Sequence, residues 1–260
     1  MPTPDREPPL AEGTPVDGLH LAVGGRQVIP RPPGAYLGAS APWELVDLAR
    51  RRGLDLAKVR GALPPAGASA GPAATVDGLP DPGVPSAVLV ALFEEDGETR
   101  VVLTRRASHL RSHQGEVSFP GGRLDGGEEP EAGALREASE EVGLDPDAVT
   151  VVGRLTPLAT FTSRAAITPV VGVLGGRPRL DPNPAEVDHC FDVALAELVA
   201  PGVFREERWT RLDRPLSTHL QSHLGPDGSY PVWFFELPDD TVWGATARVL
   251  VELLRLVLDV

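Results

Sequence analysis

One short segment constrains this chain more than any other: GGRLDGGEEPEAGALREASEEVGL, residues 121–144. It carries seven carboxylic acids between two opening glycines and a closing Gly-Leu pair. Pro130 suits the first turn of a helix, and Gly143 is a typical residue just beyond a helix C-terminus. The segment therefore predicts a glycine-rich loop followed by a helix that begins near Pro130 and ends before Gly143.

The predicted helix gathers three of the acids on one side. At about 100° per residue, Glu137, Glu140 and Glu141 fall within an arc of about 100°. The apolar residues of the same stretch lie on a different face: Leu135, Ala138 and Val142. Like charges three and four residues apart oppose helix formation by a few tenths of a kcal/mol. Clustered carboxylates suit hard divalent cations such as Mg²⁺ or Mn²⁺, although a solvated acidic face has the same short pattern.

The spacing of the whole segment decides between these two interpretations. In residues 122–144 a glycine is followed after five residues by Glu128, and after seven more by the Arg-Glu pair 136–137. The Glu-Glu pair 140–141 completes a spacing that resembles the Nudix box, G-x5-E-x7-R-E-U-x-E-E-x-G-U with U apolar, at every fixed position. Ala138 is smaller than the usual Ile, Leu or Val, which should affect packing more than chemistry.

The resemblance implies both a fold and a reaction. The implied fold is the Nudix fold, an α/β (α+β) structure in which an α/β/α sandwich has a mixed central sheet and carries the box as a loop and helix. The implied reaction is the hydrolysis of a nucleoside diphosphate linked to another group, by attack of water on a phosphorus. Such chemistry requires positioning, neutralisation of phosphate charge and activation of the water, which carboxylate-bound Mg²⁺ or Mn²⁺ supplies.

The resemblance also implies residue roles within the box. Glu137, Glu140 and Glu141 would bind the metal ions, and the Gly122 carbonyl would be an additional ligand. Arg136, Glu137 and Glu140 are the implied catalytic residues. Arg136 precedes Glu140 by one helical turn, so it can orient a carboxylate through a charge-assisted hydrogen bond.

Three further residues have supporting or open roles. Glu128 would brace the loop against the helix, and Gly143 would end the helix. The general base is open between a helix glutamate and Glu186 in the loop NPAEVDH.

The segment VLTRRASHLRSHQGEVSFPGG, residues 102–122, indicates the substrate. Its composition alone would fit a basic surface loop. It resembles the signature L-L-T-x-R-[SA]-x3-R-x3-G-x3-F-P-G-G of coenzyme A diphosphatases in the Nudix superfamily, with Val102 in place of the first Leu. An arginine guanidinium can donate two hydrogen bonds to two oxygens of one phosphate. The arginines of this segment therefore suit coenzyme A, which carries a diphosphate and a 3′-phosphate. The substrate-binding residues inferred from this segment are Arg105, Arg106, Arg111, Gly115 and Phe119.

The implied reaction splits coenzyme A into 4′-phosphopantetheine and adenosine 3′,5′-bisphosphate, with acyl-coenzyme A as an open variant. Two alternatives remain. The first is a Nudix hydrolase of another nucleoside diphosphate derivative, such as ADP-ribose or a dinucleoside polyphosphate. The second is a non-catalytic Nudix-fold sensor of coenzyme A or a nucleotide, which the presence of all three box glutamates disfavours.

Charge and composition exclude several other classes. The formal net charge of −13 over 260 residues argues against nucleic acid or an anionic membrane as a partner. Cys190 is the only cysteine, so a disulfide framework is excluded. The N-terminal residues do not resemble a secretory signal, and no apolar run is long enough to span a membrane. We therefore expect a soluble, cytoplasmic protein that acts on a small molecule.

The chain divides near residue 81 into a Pro/Gly-rich extension and a Nudix domain over 81–260. Residues 1–38 are expected to lack fixed structure, and a short helix is predicted near 42–52. Residues 61–85 form a second loose segment.

Hydrophobic periodicity then predicts the elements of the domain. Strands 86–93 and 99–106 are expected to form a hairpin through EEDGE. A short helix is predicted at 194–199, and a strong helix over 241–260 would pack in the core or in a homodimer interface. The remaining strand-like segments are 116–120, 149–158, 167–176, 204–212 and 230–237.

Overall fold

The computed structural model of the chain describes residues 11–16, 27, 29–63, 83–110, 112–160, 165–210 and 224–260. The strands within these residues are β1 Tyr36–Leu37, β2 Val84–Glu95, β3 Glu98–Arg106, β4 Val117–Ser118, β5 Gly121–Arg123, β6 Val149–Arg154, β7 Leu158–Ala159, β8 Ala165–Leu174, β9 Val187–Ala194, β10 Phe204–Thr210, β11 Ser229–Glu236 and β12 Thr241–Trp243. The helices are α1 Leu48–Arg52, α2 Leu56–Ala62, α3 Pro130–Val142, α4 Leu195–Leu198 and α5 Gly244–Leu258, with a 3-10 turn at Pro146–Ala148.

The larger sheet has the strand order β4-β3-β2-β8-β6, and β5, β7 and β9 pair with β2, β8 and β3. Strand β2 runs parallel to β8 and antiparallel to β3, so the sheet is mixed. The predicted β2–β3 hairpin is confirmed. Its turn residues Asp96 and Gly97 have φ values of 53° and 77°. Positive φ at both central residues is typical of a type I′ turn, whose twist matches that of the two strands it joins.

Alternating residues of β2 separate two apolar layers. Val90 and Leu92 belong to the cluster that includes the buried face of α5. Leu89 and Ala91 belong to the cluster that includes the buried face of α3. Because successive side chains of a strand point to opposite faces, the two helices cover opposite sides of the sheet. The predicted α/β/α sandwich with a mixed central sheet is confirmed.

The smaller sheet has the order β1-β10-β11-β12 and encloses its own apolar cluster. Strand β1 pairs antiparallel with β10, and Ala35 and Leu37 are buried. The expectation that residues up to 38 lack fixed structure is therefore wrong for this stretch. Its composition is polar, but its few apolar residues find partners about 170 positions further along the chain.

The helix predicted near 42–52 is found as α1, and α2 was not predicted. Asp55 caps α2 by accepting a hydrogen bond from the backbone N–H of Lys58 at 2.8 Å. Trp43 and Val59 are buried in the same cluster as α5, so this part of the extension packs on the domain. Most of the loose segment predicted over 61–85 lies outside the described residues.

Other elements also differ from the prediction. The C-terminal helix is preceded by the short strand β12 and begins at Gly244. Strand β9 was not predicted from the sequence. Strand β10 ends at Thr210, and the last two residues of the predicted strand lie outside the described part. Among the described helices, none is both long enough and apolar enough to cross a membrane.

Candidate active site

Helix α3 carries the candidate catalytic glutamates and has the bounds that the sequence predicts. It starts at Pro130 and ends at Val142, and it is followed by Gly143, which has a left-handed φ of 66°. The Gly143 N–H donates to the carbonyl of Ser139 at 3.0 Å, which closes the last turn. The helix packs on β2 and β5, so its glutamates lie beside the glycine pair at 121–122.

Glu137 lies directly against the backbone of Gly122 in β5. A Cβ atom placed on Gly122 would be 2.4 Å from the carboxyl carbon of Glu137. Any larger residue would displace this carboxylate, so glycine is required for the close approach of the strand. Two of the four residues that the sequence predicts as metal ligands are therefore in contact.

Glu141 is buried, with 4 % of its surface exposed. Its Oε2 accepts a hydrogen bond from the Gly121 N–H at 3.0 Å. Burial raises the pKa of Glu141 to about 7, an effect opposed by the Gly121 N–H and Arg106 and increased by Glu186 and Glu137. The sequence placed Glu141 on an acidic face apart from the packed face. In the structure the acidic arc borders the packed face, and Glu141 lies on the buried side of that border.

Arg136 connects the carboxylates of the site. Its Nη1 donates to Glu137 at 3.0 Å and lies 3.4 Å from Glu140. Its Nη2 donates to the carbonyl of Arg123 at 2.9 Å, which attaches the loop to the helix. The side chain of Glu140 is 60 % exposed and is the most open carboxylate of the box. Arg136 thus has the orienting geometry expected for it.

Glu128 joins the loop to the helix through the same arginine. It accepts hydrogen bonds from Arg136 at 2.9 and 3.0 Å and from the Asp125 N–H at 3.0 Å. These bonds, first those of Arg136, lower the pKa of Glu128 to about 2. A Cβ on Gly133 would be 2.2 Å from Leu124 and 2.9 Å from the Glu128 carboxylate. The sequence analysis missed Gly133, although a glycine inside a helix often marks such a close approach.

Arg106 extends from the upstream segment toward the box. Its Nη1 lies 3.8 Å from Oε1 of Glu141. Its Nε is buried and has no hydrogen-bond partner among the described residues. The N–H of Gly115 donates to the Arg106 carbonyl at 3.1 Å, so the loop folds back on this arginine. Arg111 lies outside the described residues.

Arg105 and Phe119, also predicted to bind substrate, have other partners. Nε of Arg105 is 3.0 Å from Oδ1 of the buried Asp240. Its Nη2 donates to the Asp239 carbonyl at 3.4 Å, so Arg105 connects the two sheets. Phe119 is 3 % exposed and belongs to the apolar cluster beneath α5. The structure thus brings Arg106 to Glu141, with Gly115 hydrogen-bonded to the Arg106 backbone, but it does not bring Arg105 or Phe119 to the glutamates.

Glu186 lies in an exposed loop beside α3. Its carbonyl accepts the Ala107 N–H at 2.8 Å, and the Asn183 N–H donates to the Glu141 carbonyl at 2.8 Å. Its negative charge contributes to the raised pKa of Glu141. Burial raises the pKa of the nearby Cys190 thiol to about 11, so this residue is a poor nucleophile at neutral pH.

The sequence pattern that describes the NUDIX domain matches residues 83–223, more than half of the chain. The chain belongs to the Nudix family. It is 37 % identical over 173 residues to the protein "Nudix hydrolase 22, chloroplastic" of Arabidopsis thaliana, with 64 % of this chain and 53 % of that protein covered. It is 34 % identical over 171 residues to "Uncharacterized Nudix hydrolase NudL" of Enterobacter sp. strain 638, with 65 % and 80 % covered.

The chain spans 53 % of the length of this Arabidopsis relative. It spans 56 % of the length of a second one, "Nudix hydrolase 15, mitochondrial", to which it is 36 % identical over 173 residues. Among solved structures, it is similar to a MutT/nudix family protein from Enterococcus faecalis, with 16 % identity and a TM-score of 0.43. The similarity covers 68 % of this chain and 62 % of that protein.

Nudix hydrolases generally use divalent metal ions, and the donor atoms of this site suit them. Glu137, Glu140 and Glu141 offer hard carboxylate oxygens, and Gly122 leaves room at its Cα for the Glu137 carboxylate. Within the described residues, no three acidic, histidine or cysteine side chains already converge in metal-binding geometry. Part of the compensating positive charge among these carboxylates comes from Arg136.

Proposed function

We propose that this Nudix protein hydrolyses the diphosphate of coenzyme A, or of acyl-coenzyme A, with Mg²⁺ or Mn²⁺. The products would be 4′-phosphopantetheine and adenosine 3′,5′-bisphosphate. The observation that carries this proposal is the contact between two sequence signatures. Arg106 of the upstream segment is 3.8 Å from Glu141 of the Nudix box, so both signatures contribute to one site.

The chain supplies phosphate recognition through Arg106. Its buried Nε lacks a partner among the described residues, although a buried guanidinium normally has its donors satisfied. A diphosphate oxygen would complete that hydrogen bond. Gly115 holds the backbone of Arg106 in place, and Arg111 is proposed as a second phosphate contact.

The box supplies the carboxylates for the metal ions. Glu137, Glu140 and Glu141, with the Gly122 carbonyl, would hold the cations, and Arg136 would keep the exposed carboxylates oriented. When bound, the divalent ions neutralise phosphate charge and acidify water. A bound cation would stabilise the charged form of Glu141 more than that of the other box carboxylates, because burial disfavours this form.

Glu186 is the group that we propose as general base. Glu186 is exposed, and its negative charge contributes to the raised pKa of Glu141. Its carboxylate can therefore contact a water molecule beside the box. The water oxygen forms a bond to one phosphorus, the bridging P–O bond breaks, and the water proton moves to the Glu186 carboxylate. A Glu186→Gln variant should lose the acidic limb of the pH profile of kcat while its KM changes little.

One observation favours a different substrate. Arg105 and Phe119 of the coenzyme A signature are engaged with Asp240 and with the apolar core. Only part of that signature therefore faces the glutamates. Hydrolysis of another nucleoside diphosphate derivative, such as ADP-ribose or a dinucleoside polyphosphate, is the second candidate function.

Product analysis separates the two candidates. The purified protein is incubated with coenzyme A, acetyl-coenzyme A, ADP-ribose and diadenosine tetraphosphate, with Mg²⁺ or Mn²⁺ or with a chelator. The proposal requires metal-dependent formation of adenosine 3′,5′-bisphosphate at the highest kcat/KM of the panel. Arg106→Gln should lower this value at least about tenfold, and Arg105→Gln is the matched control at the neighbouring position. Faster cleavage of ADP-ribose or the dinucleotide would select the second candidate, and binding of coenzyme A without cleavage would identify a sensor.

A further inference from the structure

A cavity of about 970 Å³ lies between α2 and α5, away from the Nudix box. Residues of both helices line it, together with Thr156 and Trp233. Helix α5 covers the face of the larger sheet opposite the face that α3 covers. The cavity is therefore separate from the carboxylates of the candidate active site.

Arg248 on α5 is the unusual residue of this cavity. Its side chain is half-buried, and within the described residues it makes no hydrogen bond or ion pair. Burial lowers the pKa of the Arg248 guanidinium to about 10, and the Glu252 carboxylate opposes this effect only in part. A partly desolvated charge without an ion-pair partner destabilises a protein, so the cavity holds a cation that no carboxylate in the described part of the chain pairs with.

Glu252, the carboxylate closest to Arg248 in sequence, already accepts a hydrogen bond from another part of the chain. Its Oε1 accepts a hydrogen bond from the Thr156 N–H at 2.8 Å, which ties the loop after β6 to the helix. The other acidic side chain of the cavity, Asp259, is exposed beyond the end of α5. Neither carboxylate lies within ion-pair distance of Arg248.

Two more cations line the same cavity. Lys58, the only lysine of the chain, has one long hydrogen bond, to the Gly53 carbonyl at 3.5 Å. Arg255 donates to the backbone oxygen of Val260 at 3.2 Å and is exposed. Lys58 and Arg248 therefore contribute two positive charges that have no carboxylate partner among the residues the structure describes, in a protein whose net charge is −13.

The rest of the cavity wall is apolar. Trp233 is held by a hydrogen bond from its indole Nε1 to Glu206 at 2.9 Å. The other apolar lining residues come from the two helices: Ala62, Val251, Leu256 and Val257. A concave wall of this kind with a few charged groups is the usual composition of a small-molecule site.

We propose that this cavity is a second ligand site, which binds a small phosphomonoester. The phosphate would contact Arg248 and Lys58, and the organic group would lie along the wall that contains Trp233. A phosphomonoester carries close to two negative charges at neutral pH, which matches the two unpaired cations. A guanidinium binds phosphate oxygens through paired hydrogen bonds, so Arg248 is the main anchor.

Thermal unfolding with added phosphate tests the site independently of hydrolysis. The probes are inorganic phosphate and phenyl phosphate, with a chelator present so that no metal ion carries phosphate into the box. The host protein is the Glu140→Gln variant, so a failure of the proposed hydrolysis leaves this test unaffected. We expect Tm to rise by about 3 °C when phenyl phosphate is at tenfold its dissociation constant. Inorganic phosphate should bind several-fold more weakly, because it lacks the ring.

Two variants of α5 in the same host identify the anchor. Arg248→Met should abolish the rise in Tm, whereas Arg255→Met, the matched control on the same helix, should retain it. Without phosphate, Arg248→Met should unfold no earlier than its host, because it removes a half-buried charge that has no ion-pair partner among the described residues. Lys58→Gln should weaken binding without abolishing it.

Several outcomes would overturn this proposal. An equal rise in Tm for Arg248→Met would mean that phosphate binds elsewhere, and no rise in the host would mean that the site does not exist. Early unfolding of Arg248→Met without phosphate would show that Arg248 has a structural role instead. Equal binding of the two probes would retain the anion site but reject the organic ester as its ligand.

Discussion

Two buried glutamates, Glu207 in the smaller sheet and Glu141 on the helix that packs against the larger sheet, have different surroundings. Glu207 in the smaller sheet is fully buried. It accepts a hydrogen bond from Arg31 at 2.9 Å and one from the indole N–H of Trp209 at 2.7 Å, and it pairs with Arg205. Glu141 at the larger sheet is almost as buried, but it has one backbone N–H donor and a guanidinium 3.8 Å away.

The difference separates a structural charge from a functional one. The protein itself compensates Glu207, so that carboxylate holds the smaller sheet to the chain around Arg31. Glu141 is under-compensated, and its pKa rises to about 7 through burial. A buried carboxylate in this state gains from a bound cation, which is the property that a metal site requires.

The largest expected effect is on folding, at the compensated glutamate. Glu207→Gln should lower the free energy of unfolding by about 3–5 kcal/mol, because Arg31 would lose its carboxylate partner and Arg205 would keep only Glu236. Urea denaturation followed by circular dichroism measures this change. Glu98→Gln removes an exposed partner 3.8 Å from Arg100 and should change stability by less than about 0.5 kcal/mol. Equal losses in the two variants would remove the distinction drawn for Glu207.

Substitution of Glu141, the under-compensated glutamate, should lower activity rather than stability. Glu141→Gln should lower kcat/KM for the best substrate at least about 100-fold, because it removes a metal-binding carboxylate. Its metal-free stability at pH 8 should equal or exceed that of the native protein, because a buried charge is replaced by a neutral amide. A Glu141→Gln variant that is less stable than the native protein but keeps its activity would show that Glu141 has a structural role and not a functional one.

The close approach of strand and helix gives a smaller expected effect. Gly122→Ala should reduce kcat/KM about 10- to 100-fold, because the added methyl would lie 2.4 Å from the Glu137 carboxyl carbon. Gly126→Ala is the matched control in the same loop, because a Cβ there meets no atom within 4 Å. Steady-state kinetics on both variants measure the effect, and similar activities would show that Glu137 tolerates displacement.

The smallest expected effect concerns His113 in the upstream loop. Its hydrogen bond to Glu116, at 2.8 Å, raises the pKa of His113 above its ordinary value of about 6.5. The resulting stabilisation is fully present below pH 6.5 and is lost as pH rises through the raised pKa. It amounts to a few tenths of a kcal/mol, because the pair is partly exposed. An NMR titration should show the raised pKa, and Glu116→Gln should lower it; an unshifted value in the native protein would contradict the pairing.

The sequence predicts the parts of the site that depend on local chain geometry. Helix α3 is determined by Pro130, Gly143 and the spacing between them, all within one short segment. The role of Glu128 between the loop and the helix was implied by the resemblance of the same segment to the Nudix box. The β2–β3 hairpin was predictable for the same reason, from its own turn residues.

The features that the sequence analysis missed depend on partners that are distant in the chain. Strand β1 is stabilised by β10, about 170 residues later. The different roles of the neighbouring Arg105 and Arg106 depend on Asp240 and Glu141, which no local pattern assigns. The burial of Glu141 depends on how α3 rotates against β5, and a difference of a few tens of degrees decides whether it is exposed.

Binding of Mn²⁺ is the most direct test of the central claim, that the carboxylates of α3 hold a divalent cation. Electron paramagnetic resonance of free Mn²⁺ gives the dissociation constant without any substrate. The native protein should bind Mn²⁺ saturably, and Glu137→Gln and Glu141→Gln should each weaken binding at least about tenfold. Glu129→Gln, a control on the exposed residue before the same helix, should bind as the native protein does. Unchanged Mn²⁺ affinity in both Glu137→Gln and Glu141→Gln would contradict the account.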